Sequence, residues 1–182
     1  LLVRKSVSGL VEDFNDNSTD TAIWNLFDSS HTKEQNKRLE ITTDLASGYF
    51  YIVTTDVYDL TNGSIFVQLV DAGNQLLTSY QVFPLVLSMD DNNKLQIIVE
   101  GGNVSAQRRV GGGSYDYLGT TTYNAATMKF FRIRESGGTV YFEYSSDINN
   151  WTSITSIAAP FAVTSLYPAV TVGSYGVEAT TT

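Results

Sequence analysis

Nineteen of the 182 residues are aspartate or glutamate and one is histidine, so proton-transfer chemistry in this chain would have to be carboxylate chemistry. Glycosidic-bond hydrolysis is one reaction that a pair of carboxyl groups can run. It needs them about 5–5.5 Å apart for retention or roughly 6.5–9.5 Å apart for inversion. Glu12-Asp13, Asp90-Asp91, and Asp56 with Asp59, read as turn or strand-end residues. Glu100 and Glu143 could face one sheet surface, but no spacing in the sequence brings them together. His31 lies in Ser-Ser-His-Thr-Lys-Glu, a polar stretch that reads as solvated loop, and no Gly-x-Ser-x-Gly elbow marks a nucleophile. The absence of cysteine excludes thiol catalysis, cysteine-ligated zinc and a disulfide framework. The residues read as a non-enzyme.

Binding is better supplied. Asp13, Asp16, Asn17 and Asp20 crowd the opening segment with oxygen ligands of the kind calcium takes, and Glu178 could join them from the other end. A structural calcium there stands against an ordinary acidic turn, and no other cofactor is indicated. Asp90, Asp91 and Asn92 read as a turn. Tyr115 and Tyr117 lie in GGGSYDYLG, with Arg108-Arg109 before them and Tyr123 after. Flat rings stack on the apolar faces of sugars while nearby polar groups bond the hydroxyls, and glycine lets such a loop bend. Packing of one tyrosine back on the body is the alternative. Tyr141 and Glu143 alternate with Val140, Phe142 and Tyr144, so they share an outer surface with Arg132 and Arg134, and Gln68, Gln96 and Glu100 could extend it. An Arg opposite a Glu is also an ordinary cross-strand pair. The candidate binding set is therefore Tyr115, Tyr117, Tyr141, Arg132, Glu143 and Gln68. Trp24 and Trp151 read as core.

The elements that must position these residues are strands. Period-two segments recur at Arg38–Thr42, Gly48–Asp56, Ser64–Asp71, Gln75–Phe83, Lys94–Glu100, Lys129–Arg134, Val140–Tyr144 and Val170–Gly173. Ala72-Gly73-Asn74 reads as a hairpin turn, and Ser136-Gly137-Gly138 as the clearest one. Asn103 to Thr122 loses the pattern and reads as a long loop holding at most one strand. No helical period is sustained. Such a rhythm predicts an all-β, two-sheet antiparallel sandwich or jelly roll. The length fits a single domain over residues 1–182, and the start at Leu1 without methionine suggests one module of a longer protein.

KFFRIRESGGTVYFEYSSDINNWTSI, from Lys129 to Ile154, resembles the closing hairpin of concanavalin A-like (laminin-G-like) jelly rolls. There a strand turns at Gly-Gly, returns, and enters a Ser-x-Asp-Gly-x-x-Trp loop, matched here by Ser145 to Trp151 with Ile148-Asn149 in place of the usual glycine. An Asn in the left-handed region could take the glycine's place. Asp13-Phe14-Asn15-Asp16 with Trp24-Asn25 resembles the family's opening, and Arg38-Leu39-Glu40-Ile41 its next strand. The resemblance implies a sheet surface that binds carbohydrate. Its laminarinase-like enzymes carry Glu-x-Asp-x-x-Glu on one strand, and this sequence has no such pattern.

The expected function is a lectin-like module of a larger cell-surface or phage virion protein, extracellular or at a virion surface, with a glycan or polysaccharide as partner. The alternative is a structural or assembly module, such as a phage decoration or tail component, held by other virion or surface proteins. Exposed Phe66, Val70 and Ile98 would favour it. A glycoside hydrolase ranks third. Nucleic acid is not an expected partner for a net charge of −8, and no apolar run approaches the ~20 residues of a spanning helix.

Overall fold

Alternation makes each strand apolar on one face, and two sheets satisfy that requirement by packing those faces together. The computed structural model describes residues 5–43, 48–73 and 79–174. In chain order its strands are β1 (Lys5–Ser6), β2 (Trp24–Leu26), β3 (Thr32–Gln35), β4 (Arg38–Ile41), β5 (Gly48–Thr54), β6 (Tyr58–Asp59) and β7 (Ser64–Gln68). There follow β8 (Tyr80–Asp90), β9 (Asn93–Glu100), β10 (Asn103–Arg109), β11 (Asp116–Thr122), β12 (Phe130–Ser136), β13 (Thr139–Ser145), β14 (Thr152–Ala158) and β15 (Tyr167–Ser174). The described residues contain no α-helix.

One antiparallel sheet has seven strands in the order β11-β10-β9-β8-β15-β5-β2, and the other four in the order β14-β13-β12-β7. β3 and β4 form a separate hairpin, and β1 pairs with β6 in parallel. Leu85, Leu87, Leu95, Ile97 and Val99 of the larger sheet meet Ile65, Phe131, Ile133, Val140 and Phe142 of the smaller. The alternate residues of those strands, Gln96, Ile98 and Glu100 on one sheet and Arg132, Tyr141 and Glu143 on the other, therefore face away from the core on opposite sides of the sandwich.

Two expectations about strands need correction. The segment from Asn103 to Thr122 is a hairpin of two strands, β10 and β11, paired from Asn103↔Thr122 to Arg108↔Asp116 with a bulge after Ala106. Its apolar pattern is weak because both faces of β10 are covered. Val104 and Ala106 enter the core, while Ser105 and Gln107 are buried beside polar partners. β8 also runs on past Phe83 to Asp90, because the ladder shifts between Val82 and Leu85 and so accommodates Pro84. The start of the expected Gln75–Phe83 strand, and Asn74 of its turn, lie outside the described residues.

Candidate ligand-binding groove

The outward face of the seven-stranded sheet holds a groove of about 850 Å³ lined from β5, β15, β8, β9, β10 and β11. Six strands are five spacings, so the groove crosses about 24 Å of sheet. Register fixes its rows. Val53, Ala169, Val86, Gln96, Gln107 and Tyr117 stand in one line across the sheet. Tyr51, Thr171 and Phe83 form the next, and Tyr49, Gly173, Gln81 and Glu100 the third. Ile98, expected outward, does face this side, yet it is buried in a small apolar floor with Phe83, Val86 and Ala169.

The two ends are aromatic and the centre is amide. At the β5 end the Tyr51 ring stacks on Phe27 at 4.6 Å, and Tyr49 lies 6.0 Å from Phe83. Gly173 lets the Tyr49 ring lie against the sheet, since a Cβ there would overlap ring atoms Cε1 and Cδ1. In the centre Gln96 Nε2 donates to Gln107 Oε1 at 2.7 Å, with both side chains buried. At the β11 end the Tyr117 hydroxyl donates to Glu100 Oε1 at 2.5 Å. Gln81 Nε2 donates to Glu100 Oε2 at 2.5 Å and Gln81 Oε1 accepts from the Tyr49 hydroxyl at 3.2 Å, so the third row is tied together. Burial, and then Glu100, push the Tyr117 phenol up to about 12.

The β10–β11 turn is built to hold Tyr115. Gly111 and Gly112 adopt φ of 61° and 78°, where residues with a Cβ are disfavoured. Arg109 donates to the carbonyls of Gly113, Asp91 and Gly112 at 2.9, 3.0 and 3.1 Å, and its guanidinium lies 5.6 Å from the Tyr115 ring. The turn is thus clamped to the Asp90–Asn93 turn at the groove's edge, where Asn92 O accepts from Gly112 N at 3.1 Å.

Tyr115 and Tyr117 line the groove, although Tyr117 belongs to a strand rather than to a loop. Gln68, Arg132, Tyr141 and Glu143 do not join them. They sit on the outer face of the four-stranded sheet, with the core between, so the expectation of one shared surface is corrected. Arg132 and Arg134 both reach the buried Glu143 carboxylate, at 2.7 and 3.4 Å. Arg132 also covers Trp151 at 4.0 Å and Arg134 covers Tyr141 at 3.9 Å. Trp151 is therefore a partly exposed outer-face residue and not core, while Trp24 is buried at 6% exposure. In the Asp147 loop Ile148, not Asn149, takes the left-handed conformation, at φ 61°. Tyr49, Tyr51, Gln81 and Gln107 were missed, because strand alternation shows which residues face outward but not which strands become neighbours.

The opening acidic segment does not gather into the expected calcium set. Asp13 accepts from the Asn15 side chain, while Asp16 accepts from Ser18 N and Asp20 from Ala22 N, both at 2.9 Å. Asp16 and Asp20 thus cap their own turns while Asp13 is taken up by a neighbouring amide, and among the described residues no three His, Cys, Asp or Glu side chains are placed to share a metal ion. Glu178 lies outside the described residues. The unforeseen acid is Glu34, 7% exposed on β3, whose Oε1 accepts from Asp16 N at 3.2 Å while Oε2 is buried without a partner. Burial, and then the Asp16 carboxyl beside it, raise the Glu34 carboxyl above its ordinary range. His31 is half-buried rather than solvated. Its Nδ1 lies 3.0 Å from Asp28 Oδ2, and its ring stacks on Phe50 at 4.1 Å.

No protein-family model matches the chain, and no curated protein matches it in sequence. Solved structures do match in fold. The exoplasmic/lumenal domain of VIP36, in its Ca2+/Man3GlcNAc-bound form, superposes with a TM-score of 0.68 at 14% identity, over 89% of this chain and 81% of that one. The Bacillus licheniformis β-glucanase gives 0.66 at 12%, over 90% and 83%. Rv0315 of Mycobacterium tuberculosis, described as a pseudo β-1,3-glucanase, gives 0.58 at 9%, over 90% and 86%. The fold is thus the concanavalin A-like jelly roll, an all-β antiparallel sandwich shared by carbohydrate-binding and carbohydrate-cleaving proteins. Among the described residues no helix is long and apolar enough to cross a membrane.

Proposed function

We propose that this chain is a non-catalytic carbohydrate-binding module of a larger cell-surface or virion protein, acting outside the cell, and that the groove of the seven-stranded sheet is its binding site. The observation that carries this reading is the row arrangement. Tyrosines stand at both ends of a groove long enough for several linked sugar rings, with a hydrogen-bonded Gln96–Gln107 pair between them. Tyrosine rings offer rigid stacking area, and amides offer a donor and an acceptor side by side for neighbouring hydroxyls.

The carboxylates support binding over hydrolysis. Asp90 and Asp91 stand at one end of β9 and Glu100 at the other. The seven-residue step from Asn93 to Glu100 is about 23 Å, far beyond the separation either glycosidase mechanism uses. Asp90 and Asp91 are adjacent to each other, and hydrogen bonds from Asn93 and Asn92 hold the Asp90 carboxyl below its ordinary range, unsuited to a general acid.

The test is a broad glycan and polysaccharide array probed with calcium and again with chelator. Specific binding that is insensitive to chelator and falls at least tenfold in Tyr115→Ala and Tyr117→Ala variants is expected. A second reading, an assembly module held by other surface or virion proteins, draws on Phe66 and Val70, which are 49% and 61% exposed. A blank array would favour it.

A further inference from the structure

The charges around the groove bear on which glycans it takes, an inference that rests on the carbohydrate-binding reading. Lys94 is the cationic side chain in the lining, and its ammonium lies 3.6 Å from the Asp91 carboxylate. The nearby guanidiniums are also engaged. Arg109 spends Nε, Nη1 and Nη2 on three backbone carbonyls, and Arg108 pairs with Asp116 at 3.1 Å. The carboxylates bordering the groove are Asp90, Asp91 and Glu100, and Glu100 is held by Tyr117 and Gln81.

The middle of the groove carries no charge. Val86, Gln96, Gln107 and Thr171 occupy it, above the apolar floor of Ile98 and Phe83. A uronate or sulfate group placed there would lose water without gaining a cation, which is costly for any buried anion. Placed toward the Glu100 end of β9 it would meet the carboxylate held by Tyr117 and Gln81, and toward the other end Asp90 and Asp91 beside Lys94, charges interacting over ~8 Å at physiological salt. A hydroxyl loses nothing comparable, because amide and phenol groups replace its water partners.

We infer that the groove selects uncharged polysaccharides and rejects those bearing uronate or sulfate groups. The experiment is calorimetric titration of the unmodified protein with glucan and mannan hexasaccharides, each compared with its C6-carboxylated and sulfated counterpart at physiological salt. The neutral form of at least one backbone is expected to bind, with its charged counterparts at least tenfold weaker. Charged forms that bind as tightly as neutral ones, or tighter, would overturn the selectivity and leave carbohydrate binding standing. No binding of any form would overturn the carbohydrate-binding reading, and the selectivity with it.

Discussion

Replacing Glu34 by glutamine should stabilise the protein at neutral and alkaline pH and do nothing in acid. Glu34 is buried, one of its oxygens has no partner, and the Asp16 carboxyl is its neighbour. Its folded-state pKa is therefore raised above the ordinary 4.5, burial being the larger cause. A carboxyl of this kind holds its proton longer in the folded than in the unfolded chain. The stability it confers is complete below about pH 4.5 and is lost as pH rises through the raised folded value. A buried acceptor without a partner costs about 1–3 kcal/mol. Glutamine removes the charge and brings an N–H that Asp16 can accept. For a domain of this size each kcal/mol moves the melting temperature by about 2–4 °C, so E34Q should melt roughly 2–12 °C higher near pH 8. Circular dichroism melts of both proteins from pH 4 to pH 8 read this directly. The gap should close toward pH 4, and a chelator should leave both curves unmoved. An E34Q protein that melts lower near pH 8, or a gap independent of pH, would refute the reasoning and mean that the charged carboxylate is compensated.

Two further substitutions probe local geometry. Ile148 is 46% exposed, so it packs little, yet it holds a left-handed φ that a β-branched side chain resists. Ile148→Gly should stabilise by about 1 kcal/mol, seen as a melting point about 2–4 °C higher, and an unchanged or lower value would contradict the strain. Gly173→Ala would push the exposed Tyr49 ring off the sheet while leaving the core untouched. Melting should shift by under about 4 °C, the equivalent of 1 kcal/mol, whereas affinity for an array-identified oligosaccharide should fall about tenfold. Unchanged affinity would remove Tyr49 from the site.

Local sequence showed the strands that alternate over a dry core, such as Lys94–Glu100 and Val140–Tyr144, because their burial is one-sided. It hid β10, whose Ser105 and Gln107 are buried through hydrogen bonds rather than hydrophobicity, and it ended β8 at a proline that a ladder shift absorbs. Tyr115 and Tyr117 could be found from composition and glycine context. That Arg132, Tyr141 and Glu143 belong to the opposite face could not, since both sheets of a sandwich present an outward surface with the same period. Glu34 was invisible for a related reason. In Thr32-Lys33-Glu34-Gln35 both the buried and the exposed positions are polar, so alternation gives no sign of which side faces in.

Binding at the groove face rather than the outer face is tested most directly by residue-resolved NMR. An isotopically labelled protein would be titrated with a neutral oligosaccharide that the array identifies. Shifts should concentrate at Tyr49, Tyr51, Gln96, Gln107, Tyr115 and Tyr117, with Arg132, Tyr141, Glu143 and Trp151 silent. Shifts confined to the outer-face residues, with the groove silent, would contradict the assignment.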